Sequence, residues 1–145
     1  MEQVILVDEN DQQIGLMEKM AAHEQALLHR AFSVFIFNSE GKMLLQQRAI
    51  SKYHSGGLWT NACCSHPRST ETVAEAAVRR LQEEMGFVTT IQPAFTFTYK
   101  AAFDNGLTEH EYDHVFTGIY DGEINVNPEE VENYGYGLVE DIELD

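Results

Sequence analysis

A chain of 145 residues is long enough for one domain with a hydrophobic core, and a composition of 43% hydrophobic and 23% charged residues excludes a disordered protein. A formal net charge of −15 argues against nucleic acid or an anionic membrane as partner, although a bound cation can still hold an anionic substrate. There is no transmembrane-length apolar run and no signal-peptide pattern, and the only two cysteines are adjacent, so we predict one cytoplasmic domain over residues 1–145, a monomer by default.

The N-terminal part of the chain is predicted to form two β-hairpins. Residues 3–7 and 13–17 are short apolar segments on either side of a polar turn at 8–11. Residues 32–37 and 43–47 flank a second turn, whose sequence Asn-Ser-Glu-Gly-Lys is typical of hairpin loops.

Two histidines lie between these hairpins, and a polar segment follows them. His23 and His29 are separated by a spacing that fits neither one helical face nor a local metal loop, so each alone is interpreted as an ordinary surface or core histidine. Residues 48–58 contain basic residues and glycines and are predicted to form a loop. Such a loop either closes over a phosphate or only connects two elements.

The segment from 61 to 84 carries the strongest functional signals. Cys64 and His66 lie on the same face if this part is extended, because side chains alternate along a strand. A helix is predicted directly after them and is expected to be either a carrier of metal or phosphate chemistry or an ordinary amphipathic helix with solvated charges. Its apolar stripe is formed by Ala74, Ala77, Val78, Leu81 and Met85.

The ends of this helix are marked by local signals. Ser69, Thr70 and Thr72 precede Glu75 with the spacing of a capping box. Gly86 suits the left-handed conformation that commonly follows the last helical turn.

The C-terminal part is predicted to consist of strands, at 91–100, 115–120 and 134–139, separated by turns at 104–106 and 121–122. In the first of them Phe95, Phe97 and Tyr99 share one side, and most of this stripe is expected in the core. Glu109 and Glu111 lie at strand spacing, so the two carboxylates are either solvated or share a cation. The order of elements predicts an α+β or mixed α/β sandwich fold.

Five side chains together supply imidazole and carboxylate ligands for one divalent ion, and Mg²⁺, Mn²⁺ and Zn²⁺ all accept such a set. They are His23, His29, His66, Glu109 and Glu111. With these residues and their surrounding motifs, the sequence resembles the type I isopentenyl diphosphate isomerases, a branch of the Nudix family. The motifs that carry the resemblance are AAHEQALLH at 21–29, RAISK at 48–52, GLWTNACCSHP at 57–67, AAVRRLQEEMG at 76–86 and EHEYDHVF at 109–116.

The resemblance implies a fold and a set of site residues. The fold is the Nudix fold, an α/β/α sandwich-like arrangement with a mixed sheet, a central helix and an N-terminal hairpin. The five ligands would hold Mn²⁺, Mg²⁺ or Zn²⁺, and Glu84 would help to bind a Mg²⁺ ion that accompanies the substrate's diphosphate. Diphosphate contacts are implied for Lys19, Arg48, Lys52 and Arg80, and catalysis for Cys64 and Glu111 with assistance from Tyr99.

The implied reaction converts isopentenyl diphosphate to dimethylallyl diphosphate through a tertiary carbocation. Because an alkene is a very weak base, two proton-transfer groups in a dry pocket are required, and either Cys64 or Glu111 is a possible proton donor. The family's C-terminal tail, with a helix and a tryptophan that covers the cation, is expected to be missing from these residues.

Two alternative functions are a Nudix-type hydrolase of an organic diphosphate and an inactive relative that binds prenyl diphosphates. The hydrolase motif of the Nudix family is incomplete, because Ser65 replaces its first glycine and Arg80 replaces a glutamate. A cation at position 80 favours binding a diphosphate over hydrolysing it.

Overall fold

The computed structural model describes residues 2–49, 59–102 and 106–137. The two hairpins, the central helix and the later strands follow one another in the predicted order, and the structure adds a short helix between the hairpins and two short strands before the central helix. Their bounds are β1 Gln3–Val7, β2 Gln13–Glu18, α1 Lys19–Glu24, β3 His29–Phe37, β4 Met43–Arg48, β5 Trp59–Asn61, β6 Cys63–Ser65, α2 Val73–Met85, β7 Ile91–Ala102, β8 Thr108–Ile119 and β9 Val131–Gly137.

The strands form one mixed sheet. Strands β1 and β2 make the N-terminal hairpin, and β3 pairs with β1, β4 and β6 in antiparallel fashion. Strand β8 pairs in parallel with β3, from His29 opposite Glu111 to Phe37 opposite Ile119. Strand β3 therefore has β6 and β8 as neighbours, and this places residues from distant parts of the sequence side by side.

Helix α2 packs most of its predicted apolar stripe against the sheet, but Ala74 is exposed and Ala76 is buried in addition. Ala76, Ala77, Leu81 and Met85 are buried, and they share a core with side chains of β3 such as Phe32 and Ile36. Burial of one leucine side chain typically stabilises a fold by about 1.5–3 kcal/mol, so this face fixes the helix on the sheet. The sheet and its helix confirm the predicted fold class.

Both ends of α2 are as predicted. Thr72 accepts a hydrogen bond from the backbone of Glu75, and the Glu75 side chain accepts one from the backbone of Thr72. Gly86 has a φ of 74° and ends the helix, and a Cβ atom there would lie 2.2 Å from the carbonyl oxygen of Asn125. The glycine is required both by its conformation and by this close backbone approach.

The aromatic stripe of β7 is not in the core, contrary to the prediction. Phe95 is 61% exposed and Phe97 is 43% exposed. Within the described residues β7 pairs with β8 alone, and side chains on both of its faces are exposed. The three rings contact one another instead, with 6.0 Å between the centroids of Phe95 and Phe97 and 5.6 Å between those of Phe97 and Tyr99.

Some predicted bounds differ, and others fall outside the described residues. Arg48 belongs to β4 instead of a loop, and β9 begins at Val131, three residues before the predicted start. Residues 50–58, 104–105 and 138–139 of the predicted loop, turn and last strand are outside the described part of the chain. No helix in the described ranges has the length and apolar character needed to cross a membrane.

Candidate active site

Three histidines and one glutamate converge beside β3. Each offers a ligand atom, and these four atoms all lie within 4.8 Å of one another. His23 comes from α1, His29 from the start of β3, and Glu111 lies opposite His29 in the parallel pairing with β8. His66 follows β6, the strand on the other side of β3. We call these four residues the histidine cluster.

Backbone carbonyl groups orient two of the rings. His23 Nδ1 lies 2.8 Å from the carbonyl oxygen of Lys19, and His29 Nδ1 lies 2.9 Å from that of Leu27. Because a carbonyl oxygen only accepts, each Nδ1 is the donor and each Nε2 keeps its lone pair. A metal-binding histidine is commonly held in this way by its second nitrogen.

The charge state of the cluster also suits a cation. Burial lowers the pKa values of His23 and His66 below the ordinary histidine value, so both rings are neutral at pH 7. Burial alone would raise the pKa of Glu111, but the neighbouring rings of His29 and His66 and the hydrogen bond from Tyr99 bring it well below the usual range. Three imidazoles and one carboxylate are an ordinary ligand set for Zn²⁺ or Mn²⁺.

Glu111 connects the histidine cluster to Tyr99. His66 Nε2 lies 2.9 Å and His29 Nε2 3.4 Å from Glu111 Oε2. The Tyr99 hydroxyl donates to Glu111 Oε1 and lies 3.4 Å from Glu109 Oε1. Glu109 is therefore outside the four-atom group, but it lies on the same face of β8 as Glu111, and the Tyr99 hydroxyl lies between the two carboxylates. Burial and the charges of the two glutamates raise the pKa of Tyr99, which stays protonated.

Cys64 lies on β6 with acceptors around its thiol. Its Sγ atom is 3.1 Å from Asn61 Oδ1 and 3.6 Å from Ser33 Oγ. The Asn61 side-chain amide donates to the carbonyl groups of Val34 and Cys63, at 2.8 and 3.0 Å, so its oxygen is the atom that faces the thiol. Burial is the main cause that raises the pKa of Cys64 to about 12, and the thiol is protonated at pH 7.

Glu84 is separate from the histidine cluster. It is buried on α2, where its carboxylate lies 2.7 Å from an Arg80 guanidinium nitrogen and accepts a hydrogen bond of 3.0 Å from Gln46. Arg80 also pairs with Glu83 at 2.9 Å and with Glu130 at 3.3 Å. The residue implied as a Mg²⁺ ligand and the residue implied as a diphosphate contact thus form an ion pair with each other.

A polar cavity of about 530 Å³ opens beside His66. Its wall is rich in basic side chains and hydroxyl groups, among them Arg68, Ser69, Thr70, Arg79 and Arg80. Glu2 also lines it, and Lys19 lies 3.4 Å from the Glu2 carboxylate. Arg48 has a buried Nε atom with no hydrogen-bond partner among the described residues, and Lys52 falls outside them. The basic groups suit a diphosphate.

Sequence reasoning missed three residues next to Cys64, namely Ser33, Asn61 and Asp113. Ser33 donates a hydrogen bond of 2.9 Å to Asp113, which is 3% exposed. Burial, together with the charges of Glu111 and Glu109, raises the pKa of Asp113 to about 7. Its position two residues after Glu111 repeats the spacing from Glu109 to Glu111, and that alternation is the signal from which it could have been found.

Comparisons with known proteins identify a matching family model and similar relatives. The NUDIX domain model matches residues 27–145. Isopentenyl-diphosphate Delta-isomerase 2 of Aromatoleum aromaticum is 51% identical over 144 residues, which cover 99% of this chain and 76% of the relative. The Serratia proteamaculans protein named isopentenyl-diphosphate Delta-isomerase is 55% identical over 135 residues, which cover 93% of this chain and 75% of the relative.

Solved structures of similar proteins have the same fold. A crystal structure of a Deinococcus radiodurans protein superposes with a TM-score of 0.79, covering 96% of this chain and 85% of that one at 21% identity. The MutT protein of Methanosarcina mazei gives a TM-score of 0.65, covering 78% of each chain at 18% identity. At these identities the likeness concerns the fold alone, and it confirms the predicted Nudix fold.

Proposed function

The chain belongs to the isopentenyl-diphosphate Delta-isomerases of the Nudix family, and we propose that Cys64 and Glu111 are the two groups that transfer protons when it converts isopentenyl diphosphate to dimethylallyl diphosphate. In this step of isoprenoid biosynthesis a carbon at one end of the allylic unit gains a proton, and a carbon two positions away loses one. The intermediate is a tertiary carbocation, so both groups must act in a site that excludes water.

The observation that carries this proposal is the placement of the two groups on either side of β3. Strand β6 brings Cys64 opposite Ser33, and strand β8 brings Glu111 opposite His29. The thiol carries a proton at pH 7, and the carboxylate is ionised with Tyr99 hydrogen-bonded to it. One group that can give a proton and one that can accept a proton are what the reaction needs.

The histidine cluster fits a divalent cation, which we propose to be Mn²⁺, Mg²⁺ or Zn²⁺ with Glu109 as a fifth ligand. Four donor atoms already converge, and the Nδ1 hydrogen bonds of His23 and His29 leave their Nε2 atoms as ligands. When bound, the ion supplies a fixed positive charge beside Glu111. Tyr99 links Glu109 to Glu111 and would keep both carboxylates on the cation side of β8.

The basic cavity beside His66 is the proposed place of the diphosphate. Arg80 lines it, Lys19 lies at its edge through its contact with Glu2, and Arg48 offers a buried Nε atom that has no partner among the described residues. Lys52 is proposed as a further contact from the sequence alone. Glu84 would help to hold a Mg²⁺ ion that accompanies the substrate, and Arg80, which now pairs with Glu84, would then bind phosphate oxygens.

The experiment that tests this function is proton NMR of isopentenyl diphosphate in D₂O with the purified chain, Mg²⁺ and Mn²⁺. We expect dimethylallyl diphosphate with incorporated deuterium from the native chain and no product from Cys64→Ala or Glu111→Gln. Cys63→Ala is the matched control, because this neighbouring thiol is buried against Glu84 instead of facing Ser33 and Asn61.

Two outcomes would contradict the assignment. Full activity of Cys64→Ala would remove the thiol from the proton transfer. Release of inorganic phosphate without isomerised product would favour the hydrolase alternative. Arg80 argues against that outcome, because it stands at one of the positions where hydrolases of this family carry a glutamate.

A further inference from the structure

Ser33 connects Cys64 to a buried carboxylate. It lies opposite Cys64 in the pairing of β3 with β6, and its Oγ atom is 3.6 Å from Cys64 Sγ. The same hydroxyl donates to Asp113 Oδ2 on β8 at 2.9 Å. Because the single hydroxyl hydrogen points to Asp113, the lone pairs of Oγ are turned towards the thiol.

Asn61 fixes the other side of the thiol. Its amide hydrogens are used by the carbonyl groups of Val34 and Cys63, so Oδ1 is left to accept from Cys64 at 3.1 Å. The single hydrogen of the thiol therefore faces two oxygen atoms that accept and do not donate, and it can be given to one of them at a time. A freed Ser33 hydroxyl would instead turn and donate to the sulfur, and of these two oxygen atoms Asn61 Oδ1 alone would then accept the thiol hydrogen.

The burial of Asp113 at this place is expected to lower the stability of the fold. Its side chain is 3% exposed, and Oδ1 is buried without a hydrogen-bond partner in the described part of the chain. The negative charges of Glu111 and Glu109 also act on its carboxylate. A buried carboxylate with an unsatisfied oxygen beside two others of the same charge usually destabilises a fold, and such groups in native proteins often have a functional reason.

We propose that Asp113 and Ser33 are positioning residues for Cys64: Asp113 holds the hydrogen of the Ser33 hydroxyl, so that Ser33 Oγ stays an acceptor towards which the thiol can direct its own hydrogen. The proposal rests on the isomerase function given above. Ser33 lies opposite Cys64, and Asp113 lies two residues after Glu111 on β8. The hydrogen bond between Ser33 and Asp113 therefore connects the surroundings of the two proton-transfer groups.

The test compares variants that keep or remove the acceptor for Ser33. Asp113→Val removes it with little change in volume and with a side chain that suits a strand, whereas Asp113→Asn keeps an acceptor oxygen. Isomerisation at pH 8 is expected to show a kcat about tenfold lower for Asp113→Val, with KM within twofold of the native value, and near-native kcat for Asp113→Asn. The Tm of Asp113→Val is expected to be unchanged or higher.

Ser33→Ala and the double variant test whether the two residues act through one path. Ser33→Ala is expected to lower kcat to the same extent as Asp113→Val, and the double variant is expected to be no slower than either. The matched control is Asp121→Val, because Asp121 accepts from Ser39 at 3.0 Å in a second serine–aspartate pair on the surface, and its kcat should not change. Additive losses, native kcat in both single variants, or a loss expressed only in KM would overturn the proposal.

A second measurement separates this proposal from the function itself. The S–H stretching band of Cys64 in the infrared is identified as the band lost in Cys64→Ala, and it is expected to shift in Asp113→Val and Ser33→Ala but not in Asp121→Val. If the native chain makes no dimethylallyl diphosphate, the isomerase function fails, while this band still decides the positioning role. An unshifted band in both variants would refute that role.

Discussion

The ammonium group of Lys19 lies 3.4 Å from a carboxylate oxygen of Glu2, at the edge of the basic cavity. Burial would raise the pKa of Glu2, but the positive charges of Lys19 and Arg80 lower it, so the carboxylate stays ionised beside them. An internal anion therefore stands near the place proposed for the substrate's diphosphate, and a diphosphate that contacts Lys19, as proposed, would displace it.

Glu2→Gln is accordingly expected to lower KM for isopentenyl diphosphate with kcat unchanged. The Glu2 side chain is 57% exposed, and exposed ion pairs are worth up to about 1 kcal/mol, so the decrease should not exceed about fivefold. Steady-state kinetics at low ionic strength measure it. Glu9→Gln makes the same change in net charge on an exposed turn and should leave KM as it is. An increase in KM for Glu2→Gln would mean that Glu2 orients Lys19 for the substrate.

Metal binding should stabilise the protein through the histidine cluster. A ligand that binds only the folded state at one hundred times its Kd adds about 2.7 kcal/mol to the free energy of unfolding. We expect Mn²⁺ or Zn²⁺ to raise Tm and EDTA to reverse the increase, as followed by circular dichroism. His29→Asn should abolish the increase. His114→Asn, whose ring pairs with Asp11 outside the cluster, should retain it, and an equal response of the two variants would place the ion elsewhere.

Two glycines with the same backbone conformation allow the cost of a left-handed φ to be measured apart from the cost of a steric clash. Gly86 and Gly41 have φ values of 74° and 79°, but a Cβ atom at Gly86 would lie 2.2 Å from the Asn125 carbonyl oxygen, whereas none of the described atoms lies within 4 Å of one at Gly41. Gly41→Ala should cost about 1–2 kcal/mol for the left-handed conformation. Gly86→Ala should cost clearly more, as urea unfolding would measure. Equal losses would show that the segment at Asn125 yields without cost.

The ion pair of Glu71 with Arg79 should make stability depend on pH in the acid range. Arg79 donates to Glu71 at 2.6 and 3.0 Å, and these hydrogen bonds lower the pKa of Glu71 below its ordinary value of 4.5, against the smaller effect of burial. Since the folded pKa is the lower one, the contribution is complete above pH 4.5 and is lost as the pH falls through the folded pKa.

The free energy of unfolding of the native chain should therefore exceed that of Glu71→Gln by a constant amount at pH 5 to 8, and the difference should shrink below about pH 4.5. Urea unfolding at each pH measures it. In the background of Arg79→Met the effect of Glu71→Gln should lose most of this dependence. A difference that grows towards acid would mean that the Glu71 pKa is raised in the fold.

Local signals in the sequence were sufficient for most of the elements. The two hairpins, the capping box of Thr72 and Glu75, and the end of α2 at Gly86 depend on neighbours within a few residues, and all are confirmed. The stripe of Phe95 and Phe97 was predicted wrongly as core, because alternation along a strand shows that residues share a face but not whether another layer covers that face.

The histidine cluster was predictable only through the resemblance. The spacing of His23 and His29 carries no geometric information by itself, because one ring ends a short helix and the other starts a strand beyond a turn in which Ala26 has a positive φ of 55°. The pairing of Ser33 with Asp113 joins residues that are 80 positions apart, and it could not be read from either local sequence.

The parallel pairing of β3 with β8 also bears on the order in which the histidine cluster is assembled during folding. His29 and Glu111 meet only when strands that are distant along the chain have come together, and such non-local pairing is slow to form because a long loop must close first. While the protein is being synthesised, the first two histidines are complete well before the glutamate leaves the ribosome. The ion proposed for the histidine cluster could meet all four ligands only after this pairing has formed, so we expect its binding to the complete site to come late in folding.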